Sequence, residues 1–309
     1  PLGLGVGIGV QGSDPLQQWA YQGNVYWQDG RLWGEAQVQS GGFLLRPALT
    51  IFDRAETRCC LDLQSVGAEE RGVGLRLQLP VTLESNVYRS LLRLNLDTEV
   101  RQTRFFGGPL AQPSSFTTRV TLNPSIVAGY RLQQNPRDVV PNSGVVLGAQ
   151  GEFDAWTERG PGSQYVVPFL DAYLPVLRSS NTGIRLGART LFQNRDAIVN
   201  TTTFVPRGYG DEADVLADGT FLQLEAEVTQ PLWYIDGGLT IIPFYAKALS
   251  VYGFGETLGR VADSKWQHAF SSVGGGLSLQ TRLFYTLNLD LRLGVAYKPQ
   301  AQEVVPIVR

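Results

Sequence analysis

The stretch Leu287-Asn288-Leu289-Asp290-Leu291-Arg292-Leu293-Gly294-Val295-Ala296-Tyr297-Lys298 decides the reading. Every second residue from Leu287 to Tyr297 is apolar, and the residues between them are polar or small. Successive side chains of a strand point to opposite faces, so this period of two separates an apolar face from a polar one. On a helix the same leucines would scatter around the cylinder. The segment is therefore read as a long strand, apolar on one side and hydrophilic on the other.

The same split recurs along the chain. Val73, Leu75, Leu77 and Leu79 oppose Gly74, Arg76 and Gln78, and Leu92, Leu94, Leu96 and Val100 oppose Arg93, Asn95, Asp97, Glu99 and Arg101. Ile184 and Leu186 oppose Arg185 and Gly187, and Leu222, Leu224 and Val228 oppose Gln223, Glu225 and Glu227. These segments run well past the usual globular strand of about 5–6 residues. No amphipathic helix lies between them. Long alternating strands throughout a chain predict an all-β, transmembrane, antiparallel up-and-down β-barrel, with apolar side chains toward lipid and polar ones toward a lumen. Backbone groups in lipid must all be paired, so such a sheet is expected to close. A soluble sandwich also alternates, so a large soluble β protein is the rival architecture.

Fourteen strands are read directly, at 3–11, 19–28, 31–40, 45–55, 71–81, 88–104, 117–132, 144–158, 166–177, 182–195, 221–233, 239–255, 268–284 and 286–299. The long connections 56–70, 105–116, 196–220 and 256–267 alternate with short turns at 82–87, 178–181, 234–238 and around Tyr285. The long set is assigned to the extracellular side, together with the tight Asp29-Gly30 hairpin. The 133–143 connection is longer than this pattern expects. Trp19, Trp27, Trp33, Trp156, Trp233 and Tyr285 suit aromatic girdles at the strand ends. Gly3, Gly5, Gly7 and Gly9 share one face and are expected to leave room in the lumen. No linker divides the chain, so 1–309 is read as a single barrel domain.

Composition agrees. Charged residues are 17% of the 309, against roughly 25% in soluble domains. A formal net charge of −2 argues against a basic nucleic-acid binder. No apolar run reaches the roughly 18 residues of a spanning helix. The chain begins at Pro1 and holds no methionine, which reads as a processed or trimmed product. Cys59 and Cys60 are neighbours, which rarely pair with each other, and are placed in the 56–70 loop without a catalytic role.

Val205-Pro206-Arg207-Gly208-Tyr209-Gly210 lies in the longest connection, followed by Glu227-Val228-Thr229-Gln230-Pro231-Leu232, then Ser272-Val273-Gly274-Gly275-Gly276-Leu277 and Leu293-Gly294-Val295-Ala296-Tyr297. In this order the segments resemble the C-terminal half of the outer-membrane surface-antigen superfamily, which includes Bam-type barrel assemblases and two-partner secretion transporters. Gly5-Val6-Gly7-Ile8-Gly9-Val10 through Ser13-Asp14-Pro15-Leu16 is similar to the barrels that follow TolB-like propellers. The resemblance implies sixteen strands, with the Arg-Gly loop between the eleventh and twelfth. Counting the loop back places one strand before Pro1, and Glu303 to Arg309 reads as the start of the last. The first and last strands are thus expected to be missing or incomplete. Family members end in an aromatic residue, whereas this chain ends at Arg309.

The resemblance further implies that loop 196–220 folds into the lumen and delivers Arg207 to inward carboxylates. A guanidinium in a confined lumen needs such a partner. Gly208 lets the backbone turn and Tyr209 packs on the wall. Glu227 is the first expected partner and Glu225 the second. The family also carries an acid on strand thirteen, and the matching position here is read as Gly253.

No enzyme is expected. His268 is the sole histidine and no G-x-S-x-G elbow accompanies it. No zinc ligand set and no phosphate loop is present, so neither metal nor cofactor is expected. The expected partners are outer-membrane lipids and periplasmic or surface proteins, with no nucleic acid, at the bacterial cell outer membrane. Two functional classes compete: a membrane anchor or assembly component of an envelope complex, and a protein- or lipid-translocating pore working with periplasmic modules on another chain. A general porin is a third reading, disfavoured by a loop in the lumen.

Overall fold

The computed structural model describes residues 6–16, 18–28, 30–61, 64–85, 88–106, 114–132, 143–158, 162, 164–177, 181–194, 205–209, 219–239, 244–262, 265–283 and 287–308. Among them the chain is all-β. Fifteen strands form one antiparallel sheet in sequence order, each hydrogen-bonded to the next. They are β1 (Val6–Ser13), β2 (Trp19–Gln28), β3 (Arg31–Ser40), β4 (Arg46–Leu61), β5 (Gln64–Ser85), β6 (Tyr88–Phe106), β7 (Thr117–Leu132) and β8 (Gly144–Thr157). The second half comprises β9 (Gln164–Leu177), β10 (Thr182–Gln193), β11 (Gly219–Leu239), β12 (Phe244–Ala262), β13 (Lys265–Leu283), β14 (Leu287–Lys298) and β15 (Glu303–Val308). The fragment starting at Glu303 is indeed a strand, paired with β14 from Lys298↔Glu303 to Leu293↔Val308.

The expected closure is not seen: among the described residues β1 pairs only with β2, and β15 only with β14. The sheet is nevertheless curved: residues of β10, β11, β12, β14 and β15 border one cavity. Three strand spacings separate β14 from β11, about 14 Å in a flat sheet, and Arg292 of β14 reaches across to Glu227 of β11 at 3.0 Å. Similarly Arg101 of β6 meets Glu152 of β8 at 2.5 Å, across β7. One face is thus concave and ion-paired. The other presents apolar side chains to the outside, for example Val73 and Leu75 on β5, Leu92 and Val100 on β6, Leu186 on β10, and Leu291, Leu293 and Val295 on β14. Leu293 is 61% exposed.

Several strands extend beyond their expected ends. The 56–70 connection is largely ladder, with β4 and β5 paired to Arg58↔Val66 and on to Leu61↔Gln64. Cys59 and Cys60 therefore lie on β4 and not in a loop. Likewise 256–267 is mostly strand, β12 reaching Ala262 and β13 starting at Lys265, with His268 in register with Gly259. The 234–238 turn is replaced by a continuation of β11 to Leu239, irregular between Pro231 and Trp233 and between Tyr234 and Gly237. Backbone ladders do not need an apolar face. Here charged pairs such as Arg54–Glu70, 3.3 Å apart, continue the hairpin where the apolar alternation stops.

The aromatic expectation holds in part. Trp19, Trp27 and Trp156 are exposed near strand ends, Trp233 is exposed but lies within β11, which runs on to Leu239, and Tyr88 and Tyr130 stack with centroids 4.7 Å apart. Trp33 is different: it is 5% exposed, its Nε1–H donating to the Gln28 carbonyl and its ring facing Arg31. It alternates with Leu32, which takes the outer face, so its parity sends it inward. The space left by Gly7 and Gly9 is used by the neighbouring strand. A Cβ at Gly7 would lie 2.5 Å from that of Tyr26, and one at Gly9 2.6 Å from Asn24 Oδ1. Tyr285, Gly3, Gly5 and most of the 133–143 connection fall outside the described residues.

Candidate functional site

Of the connection between β10 and β11, residues 205–209 are described. They form a tight turn, in which the Tyr209 N–H donates to the Pro206 carbonyl at 3.1 Å. Gly208, at the third position, has φ +91°, which matches the positive φ a type II turn requires there. The turn thrusts Arg207, its second residue, away from the loop backbone.

Three contacts seat this turn on the concave face. Val205 packs on an apolar cluster of Val167, Leu191, Phe221 and Leu258, near the roots of the connection. Tyr209 packs on Phe270, centroids 4.9 Å apart, and its hydroxyl donates to Gln300 Oε1 at 2.6 Å with the Ser271 carbonyl 2.9 Å away. Between them Arg207 meets carboxylates midway along β11 and β12. Glu227 is eight residues from the first residue of β11, roughly 26 Å along the strand. The loop tip therefore lies deep against the wall.

Arg207 Nη2 stands 2.9 Å from Glu225 and 2.7 Å from Glu227. Both partners expected from the sequence are thus in contact. The strongest hold is a third acid. Glu256 of β12 accepts from Arg207 Nε at 2.5 Å and from its backbone N–H at 2.7 Å. The guanidinium also lies 4.1 Å from the centre of the Phe254 ring. Burial opposes the charge of Arg207, but Glu256, then Glu227 and Glu225, outweigh it and raise its pKa above the ordinary arginine value.

Glu256 escapes a sequence reading that stops the strand at Gly255. Tyr252, Phe254, Glu256 and Leu258 alternate inward and are all buried. Gly253 belongs to the opposite parity, so the position matched to the family acid does not face Arg207. The usable signal is the period of two carried three residues further.

The site continues along the wall on both sides. Arg185 joins Glu225 (3.2 Å) to Asp171 (3.1 Å), and Arg292 joins Glu227 (3.0 Å) to Asp290 (2.9 Å). Ser278 donates to Asp290. Acid and base therefore alternate from β9 to β14, with the loop arginine at the centre. A cavity of about 900 Å³ adjoins the loop tip, bordered by Arg189, Gln223 and Asp290 among others. Each carboxylate that touches Arg207 is held in an ion pair, an arrangement suited to fastening a loop. No protein-family model matches the chain, and no curated protein matches it.

Proposed function

We propose that this chain is a non-enzymatic outer-membrane β-barrel of the surface-antigen type, acting as a membrane anchor or assembly component of an envelope complex. The observation that carries the reading is the contrast between the two faces of one curved sheet. The outer stripe on β5 runs from Val73 to Leu83, about 33 Å along the strand and about 25 Å in height at a tilt of roughly 40°, the height of a lipid-facing apolar band. Arg71 and Gln102, hydrogen-bonded at 2.9 Å, end the stripe on β5 and β6. Inside, an arginine-bearing turn fastened by three carboxylates supports the likeness to that superfamily. In this reading β1 and β15 are joined in the membrane, directly or through a further strand, to give sixteen strands or nearly so. Outer-membrane lipids cover the apolar face, and periplasmic or surface proteins are the partners.

Detergent extraction followed by heat-modifiable gel migration and circular dichroism tests the class. The expected result is a β-rich species that needs detergent and migrates faster unheated. A detergent-free, water-soluble monomer overturns it.

A translocating pore is the second reading. Its support is that the Arg207 turn is held on the wall by side-chain contacts next to a cavity of about 900 Å³, so that its withdrawal would leave the β9–β14 ladders in place. Modules able to receive a polypeptide, encoded upstream or on a neighbouring chain, favour it. An upstream propeller favours the anchor.

A further inference from the structure

We propose that the loop turn 205–209 is a latch for the last strand, so that seating of the turn and pairing of β15 form one cooperative unit. β15 is poorly held by its own ladder. It has six residues, pairs on one side only among the described residues, and includes Pro306, which has no N–H to donate. What secures it lies on its inward face. Val305 and Ile307 pack on the buried cluster of Tyr252, Phe254 and Ala296. Phe254 is also the ring beneath Arg207.

Gly208 closes the assembly from above. A Cβ there would sit 2.8 Å from Val305 Cγ2 and 3.0 Å from Ala296 Cβ, so its backbone lies directly on β15 and β14. The next residue reaches the turn leading into β15. The Tyr209 hydroxyl bonds Gln300, whose Oε1 also accepts from the Ser271 N–H at 3.2 Å. The Tyr209 ring lies 5.0 Å from Lys298 Nζ, and Lys298 pairs with Glu303, the first residue of β15, at 3.2 Å. The turn thus touches the middle of the strand directly and its start through Lys298 and Gln300. Withdrawing it would uncover Val305 and cut the tie to Gln300. This coupling needs only contacts within the chain, whether or not the outer face meets lipid.

Amide hydrogen exchange on the full chain tests it, using Tyr209→Phe and Gly208→Ala. Tyr209→Phe keeps the ring on Phe270 and removes only the hydroxyl. The expected result in each variant is exchange about ten-fold faster for the β15 amides bonded to β14, with β2, β3 and β5 unchanged. The reciprocal variant, Val305→Ala, should increase proteolytic cutting within the β10–β11 connection, because coupling works in both directions. Unchanged β15 exchange in both loop variants overturns the latch. So does faster exchange spread evenly over all strands, or a Val305→Ala protein whose loop is cut at the original rate.

Discussion

Two ion-paired regions line the same concave face, and they are built differently. On β4 to β8, among the described residues, every cation of the ion pairs belongs to a strand. Arg54 pairs with Glu70, Arg101 with Glu152 and at 3.8 Å with Glu99, and Arg119 with Asp154 at 3.7 Å. On β9 to β14 the strands supply the acids and three flanking arginines, Arg185, Arg189 and Arg292, but the central cation arrives on a loop. The first region is part of the wall and cannot come apart unless strands separate. The second keeps its strand-borne pairs at Arg185 and Arg292, but its centre is filled only while the inserted turn stays in place. Similar chemistry therefore stabilises the sheet in one region and a removable element in the other.

Arg207→Ala should separate the two most sharply. Three carboxylates would lose their shared cation, at a cost on the order of 3 kcal/mol where the surroundings are dry. Under the proposed membrane-barrel function, loop cutting by protease and single-channel conductance in planar bilayers are both expected to rise while the sheet still assembles. Unchanged conductance and unchanged protease sensitivity would falsify the role of the turn as a fastened insert.

Arg101→Ala is the mirror experiment, with a comparable cost of about 3 kcal/mol, because Arg101 is 5% exposed and leaves Glu152 uncompensated. Its effect should appear in the midpoint of denaturant unfolding from detergent, with conductance unchanged. A conductance rise as large as that of Arg207→Ala would erase the distinction between the regions.

Within the loop site Glu256 and Glu225 should rank. Glu256→Gln is expected to weaken loop seating by about 2 kcal/mol, since Glu256 receives two bonds from Arg207 and pairs with no other arginine among the described residues. Glu225→Gln should cost about 1 kcal/mol or less, because Glu225 is divided between Arg207 and Arg185. Protease cutting rates of the two variants, measured side by side, give the order. Exchanging Arg207 and Glu227 should restore little, because an acid at position 207 would meet Glu225 and Glu256.

A comparably small effect belongs outside both regions. Trp33→Phe removes the bond to the Gln28 carbonyl and should lower stability by about 1 kcal/mol, read as a shifted unfolding midpoint, with loop cutting unchanged.

The strands, their two faces and the identity of the loop arginine are all legible in the amino-acid order. Alternation reports facing directly because strand geometry has a period of two, and for this reason Glu225 and Glu227 can be assigned inward from the pattern alone. The pattern loses its power where the apolar partner residues end. There the ladder of β4 with β5, and of β12 with β13, continues on backbone bonds that any side chain permits. Glu256 is hidden from a sequence reading for that reason. Trp33 suits a girdle by residue type but faces inward by parity, and parity prevails because the strand leaves it no other face. Which acids meet Arg207 is settled by the folded chain, since it depends on curvature bringing β11, β12 and the returning loop to one point. The contact of Gly208 with Val305 is of the same kind. The two residues are far apart in sequence, and a glycine has no side chain by which a pattern could announce what it touches.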